Sequence, residues 1–229
     1  MSLSLPSPIK GIIFDLDGTL YHMKWFMKPL LTFRLFPHIL YLPRYMAIRK
    51  KFSGKDMQNG EALIHAMAEK LADKVNAADT ATMVSWIQDT FYRAFVDIMP
   101  LLKGSRPAIN AVLSDLKQKG YRLGILSDFA RIEERLQGLQ IDCTFFDTLV
   151  SSESAGSLKP GIRPLLAIQE SWQIQPSHIL IVGDRDDTDG IAASEAGMHY
   201  LKISDKKKKT TTACSWKQLK EALQKLPAI

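Results

Sequence analysis

Apolar residues in this chain follow two kinds of pattern. Short continuous runs, Ile9 to Phe14, Tyr121 to Leu126, Phe145 to Val150, His178 to Val182 and Met198 to Ile203, have strand length and lack the alternation of a half-exposed sheet. Such runs suit strands covered on both faces. Between them lie helical stretches: Ser105 with Pro107 opens one that reaches Lys119 and stops at Gly120, with others near Ala130 to Gln137, Pro164 to Trp172, Gly190 to Ala196 and Ser215 to Leu226. A proline near a helix start and a glycine past its end are the expected punctuation. Strands alternating with helices predict an α/β fold with a doubly wound parallel sheet.

The alternation is interrupted between the first and second strands. Glu61 to Val75 sets Leu63, Met67, Leu71 and Val75 four residues apart, and Met83, Ile87, Phe91 and Phe95 repeat that step behind a cap at Asp79 or Thr80. Tyr21 to Phe52 is rich in aromatics, methionine and basic residues. Arg34, Pro37, His38, Pro43 and Arg44 interrupt it, so no run approaches the ~20 apolar residues of a bilayer span; short helices broken at Pro37 and Pro43 are expected. Residues 21–99 therefore read as an all-helical insert in a core made of 1–20 and 100–229.

Composition narrows the picture. A chain of 229 residues with 46% hydrophobic content can bury a full core. Its formal charge of +6 is local: of 30 basic residues eight fall between Lys24 and Lys55, where there is no Asp or Glu, so the other 22 face 24 acidic residues. A protein that coats nucleic acid would spread its charge more widely, and no nucleic-acid partner is expected. Lys206 to Lys209 reads as a solvated charge block between the last strand and the last helix. Cys143 and Cys214 lack metal-ligand spacing and suit a reducing cytoplasm, and the N-terminus has no secretory pattern.

Chemistry collects at the strand ends. Asp15 and Asp17 close the first strand, with Gly18 free to turn the backbone away. Two acids so near each other imply a hard cation or a division into acid and base roles. Ser127-Asp128 ends the second strand, Lys159-Pro160 lies between the third and fourth, and Gly183-Asp184-Arg185-Asp186-Asp187-Thr188-Asp189 follows the fourth. Open α/β sheets bind ligands in the crevice at this edge.

Asp15-Leu16-Asp17-Gly18-Thr19-Leu20 resembles the first signature of the haloacid dehalogenase superfamily, and the Ser127, Lys159 and Asp184 segments resemble its other three, in the expected order. The resemblance implies a Rossmann-like core with a helical cap domain, and a cytoplasmic Mg²⁺-dependent phosphatase acting on a small phosphomonoester. It implies Asp15 as nucleophile and Asp17 as general acid and base, and assigns substrate phosphate to Thr19, Ser127, Asp128 and Lys159. The metal ligands it implies are the Asp15 carboxylate, the Asp17 carbonyl and Asp184, with Asp189 as second acid and Asp187 as the alternative register. The acid at Asp17 disfavours dehalogenation. A phosphomutase or phosphotransferase would use the same signatures. The basic, aromatic insert also admits a membrane-surface or partner-binding module with a vestigial site.

Overall fold

The short run Gly11-Ile12-Ile13-Phe14 forms β1, and in the computed structural model it lies at the centre of the sheet. Residues 3–76, 79–102, 104–204 and 213–229 are described, so the lysine block 206–209 lies outside them. Among the described residues five strands line up in the order β3-β2-β1-β4-β5, with β2 at Arg122–Ser127, β3 at Thr148–Ser151, β4 at Ile179–Gly183 and β5 at His199–Lys202. Every pairing is parallel, and Phe14 sits opposite Ile125 on one side and Val182 on the other. All strands thus end at one edge.

Alternate side chains of the strands point into separate layers. Ile12, Phe14, Leu123, Ile125, Leu180 and Val182 share a core with α6 (Ile109–Gln118), α7 (Ile132–Gly138) and α10 (Trp216–Gln224). Ile13, Leu126, Ile179 and Ile181 pack against α8 (Arg163–Trp172) and α9 (Ile191–Glu195). Helices cover both faces, which makes the sheet doubly wound.

The insert between β1 and β2 is helical: α1 (Met27–Arg34), α2 (Tyr41–Phe52), α3 (Gly60–Val75), α4 (Thr80–Ser85) and α5 (Tyr92–Asp97). The side chain of Asn59 accepts from Ala62 N–H at 2.9 Å and caps α3, and Asp79 caps α4 through Thr82 N–H at 2.6 Å. Trp86–Phe91 joins α4 to α5 as a π-helical stretch. That wider turn explains the strict four-residue spacing of Met83, Ile87, Phe91 and Phe95, all buried. In an α-helix a four-residue step drifts about 40° around the axis, and a π stretch takes up the difference.

Three expectations need correction. The chain breaks near Pro37, but α2 runs through Pro43, which occupies the first turn where no helical N–H bond is required. Ser105 does not start α6; it bridges Tyr21 in antiparallel fashion, Ala108 adopts φ 59°, and the helix begins at Ile109. Strand β3 begins at Thr148 rather than Phe145, because Asp142 accepts from Thr144 N–H at 2.9 Å and closes a 3₁₀ turn over Cys143–Phe145.

Candidate active site

The ends of β1 and β4 and the loop after β3 bring four of the expected groups, Asp15, Asp184, Asp189 and Lys159, into one largely buried cluster. Asp15 continues β1 by donating its N–H to Val182 O at 2.8 Å, and its carboxylate faces inward. Asp15 Oδ2 accepts from Thr19 Oγ1 at 2.8 Å and Oδ1 from Lys159 Nζ at 2.7 Å. The same ammonium donates to Asp189 Oδ1 at 2.6 Å. Burial pushes the Asp15 carboxyl well above the ordinary carboxylate range; Lys159 opposes that rise, and Asp189, Asp17 and Asp184 add to it. Lys159 is held well above its ordinary value, since its acidic neighbours outweigh the burial that would lower it.

Asp184 follows β4 and faces Gly18. The glycine's φ of +93° turns the chain away after Asp17, and a Cβ there would lie 2.4 Å from Asp184 Oδ2. Gly183 makes matching room for Asp189, whose Oδ2 would sit 2.4 Å from a Cβ on that glycine. Burial, reinforced by Asp189, raises the Asp184 carboxyl to about 6. One oxygen each from Asp15, Asp184 and Asp189 falls within 4.8 Å of the other two. An all-oxygen donor set with two carboxyls raised by burial and further by their acidic neighbours suits a hard divalent cation, whose charge would offset both effects. Asp187 lies apart from this group: it is exposed and pairs with Arg185, whose NH2 donates to Oδ2 at 2.6 Å.

Asp17 turns to a second set of partners. Its carboxylate accepts from Tyr21 OH at 2.6 Å, from Ser127 Oγ at 3.0 Å and from the buried guanidinium of Arg135. Burial alone would raise Asp17, yet the charge of Arg135 and these hydrogen bonds prevail and hold it below its usual value. Ser127 also accepts from Phe129 N–H at 3.2 Å and from Arg135 NH1 at 3.0 Å. Asp128 faces elsewhere: its Oδ1 accepts from Ser152 Oγ and from Lys159 N–H, both at 2.9 Å, so it braces the lysine's backbone.

Two arginines escaped the reading of the sequence. Arg135 lies on α7 beside the apolar positions Ile132 and Leu136, a pattern like that of any amphipathic helix. Arg106 donates through Nε to Thr19 O at 2.8 Å and through NH2 to Gly18 O at 3.0 Å, holding the turn that carries both aspartates. Only the fold brings either one near residues about 90 to 120 positions earlier.

The family model for haloacid dehalogenase-like hydrolases matches residues 9–197. A glyceraldehyde 3-phosphate phosphatase of Methanothermobacter thermautotrophicus is 27% identical over 213 residues, covering 86% of each chain. A phosphoglycolate phosphatase of Nitrosospira multiformis is 24% identical, covering 87% of this chain and 85% of the other. Among solved structures, the HAD-hydrolase YfnB of Bacillus subtilis, bound to magnesium, superposes with a TM-score of 0.64 at 18% identity, over 95% of this chain and 98% of that one. With strand ends, buried lysine and acidic cluster arranged as described, this chain belongs to the haloacid dehalogenase-like hydrolase family.

Proposed function

We propose that the protein is a phosphatase that cleaves a phosphomonoester through an aspartyl-phosphate on Asp15. The observation that carries this reading is the position of Lys159, whose ammonium bridges Asp15 and Asp189 at 2.7 and 2.6 Å beside Asp184. A nucleophilic carboxylate must approach an anionic phosphoryl group, and a fixed ammonium offsets that repulsion. Asp15, Asp184 and Asp189 would hold Mg²⁺, with the Asp17 carbonyl, and the ion would add positive charge at the phosphoryl oxygens. An oxygen of Asp15 forms a bond to phosphorus as the bond to the leaving oxygen breaks, and Asp17 gives that oxygen its proton. Water then attacks the phosphorus, Asp17 takes the water's proton, and orthophosphate leaves with Asp15 restored.

Asp17 lies two residues beyond Asp15, and its Tyr21, Ser127 and Arg135 contacts hold it ionised, the form that takes the proton of the attacking water; the proton it gives the leaving oxygen is one it must first acquire. The Ser127 hydroxyl, which donates to Asp17 in this structure, would turn from it to donate to a phosphate oxygen. The helical insert over residues 21–99 serves as the cap that excludes water. Phosphate release from a panel of phosphomonoesters, with Mg²⁺ and with a chelator, tests the proposal; release unaffected by removing the metal, or none from any ester, sinks it.

A further inference from the structure

Beside Asp17 a cavity of about 420 Å³, which Lys159 does not line, opens between the inserted helices and the loop after β2. That volume lies within the roughly 300–1,000 Å³ of small-molecule sites. Its wall is apolar, with Met27 and Leu42 from the insert, Phe91 from the π stretch and Phe129 from the core loop, and Met46, 41% exposed, at its mouth. Among the described residues that line it, the polar side chains are Asp17, Lys28 and Thr32. The Thr32 hydroxyl donates to Lys28 O at 2.9 Å, and the carboxylate of Asp17 already has its three donors.

We infer that this cavity receives the alcohol half of the substrate, and that the alcohol is apolar, an alkyl chain with no hydroxyl or carboxyl group near the ester. The inference rests on the reading of Asp17 as the group that protonates the leaving oxygen. If Asp17 reaches that oxygen, the carbon bonded to it enters the space Asp17 lines. A polyol, a carboxylate or a second phosphate would meet mostly methionine, leucine and phenylalanine there, and along that wall its polar groups would lose water without gaining partners; Lys28, the one cation among the described lining residues, is exposed, so its ammonium is already in water. An alkyl chain loses nothing of that kind and gains buried contact along its length. The named relatives are a glyceraldehyde 3-phosphate phosphatase and a phosphoglycolate phosphatase, whose named substrates are small and polar, unlike the alcohol inferred for this chain.

The test measures phosphate release with Mg²⁺ from methyl, butyl, hexyl and octyl phosphate below their micelle thresholds, beside glycerol phosphate and phosphoglycolate. The expected kcat/KM rises about two- to fourfold per added methylene, the value for a buried CH₂, until the cavity is filled. Octyl phosphate should exceed both polar esters at least tenfold. Leu42→Gln and Met46→Glu, checked for folding by thermal melting, should flatten the chain-length dependence. A flat series, or a preference for the polar esters, overturns the inference and leaves the phosphatase reading intact. If no ester releases phosphate, the phosphatase reading fails, and calorimetry with alkylphosphonates of the same lengths decides the cavity. Affinity that tightens with chain length supports an apolar occupant, and affinity independent of length overturns it.

Discussion

Arg49 of α2 and Glu153 of the loop after β3 form a buried ion pair that joins the helical insert to the sheet. Glu153 is fully buried and also accepts from Tyr45 OH at 3.2 Å and from Tyr92 OH. Arg49 extends the network by donating to Asp128 O at 2.6 Å and by lying 4.3 Å above the Phe129 ring. The seam is tight nearby, since a Cβ on Gly60 would lie 2.6 Å from Ser154 O. The strand-end loop that carries Ser127 and Asp128 is therefore fastened to the insert by a charge buried with its partner.

A buried charge left without its partner costs about 3–5 kcal/mol, while replacing both ions by neutral groups can cost little. Arg49→Met or Glu153→Gln alone should each lower stability by about 3 kcal/mol or more. The double variant should lose about 3–4 kcal/mol in place of the ~6 kcal/mol that additivity gives, an interaction energy of roughly 2–3 kcal/mol, the upper end for residues in contact. A double-mutant cycle by urea denaturation measures it, and additive losses would mean that the pair contributes no coupling.

Asp15→Asn removes the proposed nucleophile but keeps the side chain's shape. It also removes one of three crowded acids, so folding stability should hold or improve slightly while turnover falls by about a hundredfold or more. Phosphate release together with melting temperature checks this. Turnover above a few per cent in a folded variant would take Asp15 out of the nucleophile role.

Much of this architecture is written in local pattern. Five apolar runs flanked by helices fix the sheet's order of elements, because a strand buried on both faces needs an unbroken apolar stretch. Site residues at strand ends are readable for the same reason, since a carboxylate or hydroxyl just past a buried run must surface at the sheet edge. Contacts made across the chain leave no such trace. Arg135 reaches Asp17 over 118 positions and Glu153 reaches Arg49 over 104, and neither the amphipathic helices that carry the arginines nor the serine-rich turn around Glu153 marks the pairing. Pro43 misleads because proline's effect depends on where the helix starts: in a first turn it removes a bond that would not have formed.

Gly18 separates two effects of one substitution. Ala at this position must adopt φ near +93° and must also displace Asp184 Oδ2, only 2.4 Å from the new Cβ. Gly197 has a similar φ of +69°, yet its nearest neighbour, Pro176 Cβ, would be 3.7 Å away. Both alanines should cost about 1–3 kcal/mol of backbone strain. Gly18→Ala should in addition raise the Mg²⁺ concentration for half-maximal activity about 10- to 100-fold, as displaced metal-site groups do. Gly197→Ala should leave that concentration unchanged, and equal metal titrations for the two would show that Asp184 does not hold the ion.

Asp147 supplies a pH test far from the site, at the opposite edge of the sheet. It accepts from Lys117 Nζ at 2.8 Å, from Arg122 NH1 at 2.9 Å and from Leu123 N–H at 2.9 Å. Partial burial would raise its carboxyl, but these donors outweigh that and hold it below the usual value. A carboxyl lowered by folding stabilises the protein fully above its unfolded value, near ~4, and that contribution fades as pH falls through the lower folded value. The group is partly exposed and solvent screens it, so about 1 kcal/mol is the expected size. Asp147→Asn should therefore destabilise the protein by about that much at pH 7, and the gap from the parent chain should close below about pH 3. Urea midpoints at the two pH values measure both quantities. A gap that persists undiminished in acid would mean that Asp147 acts through packing and not through its charge.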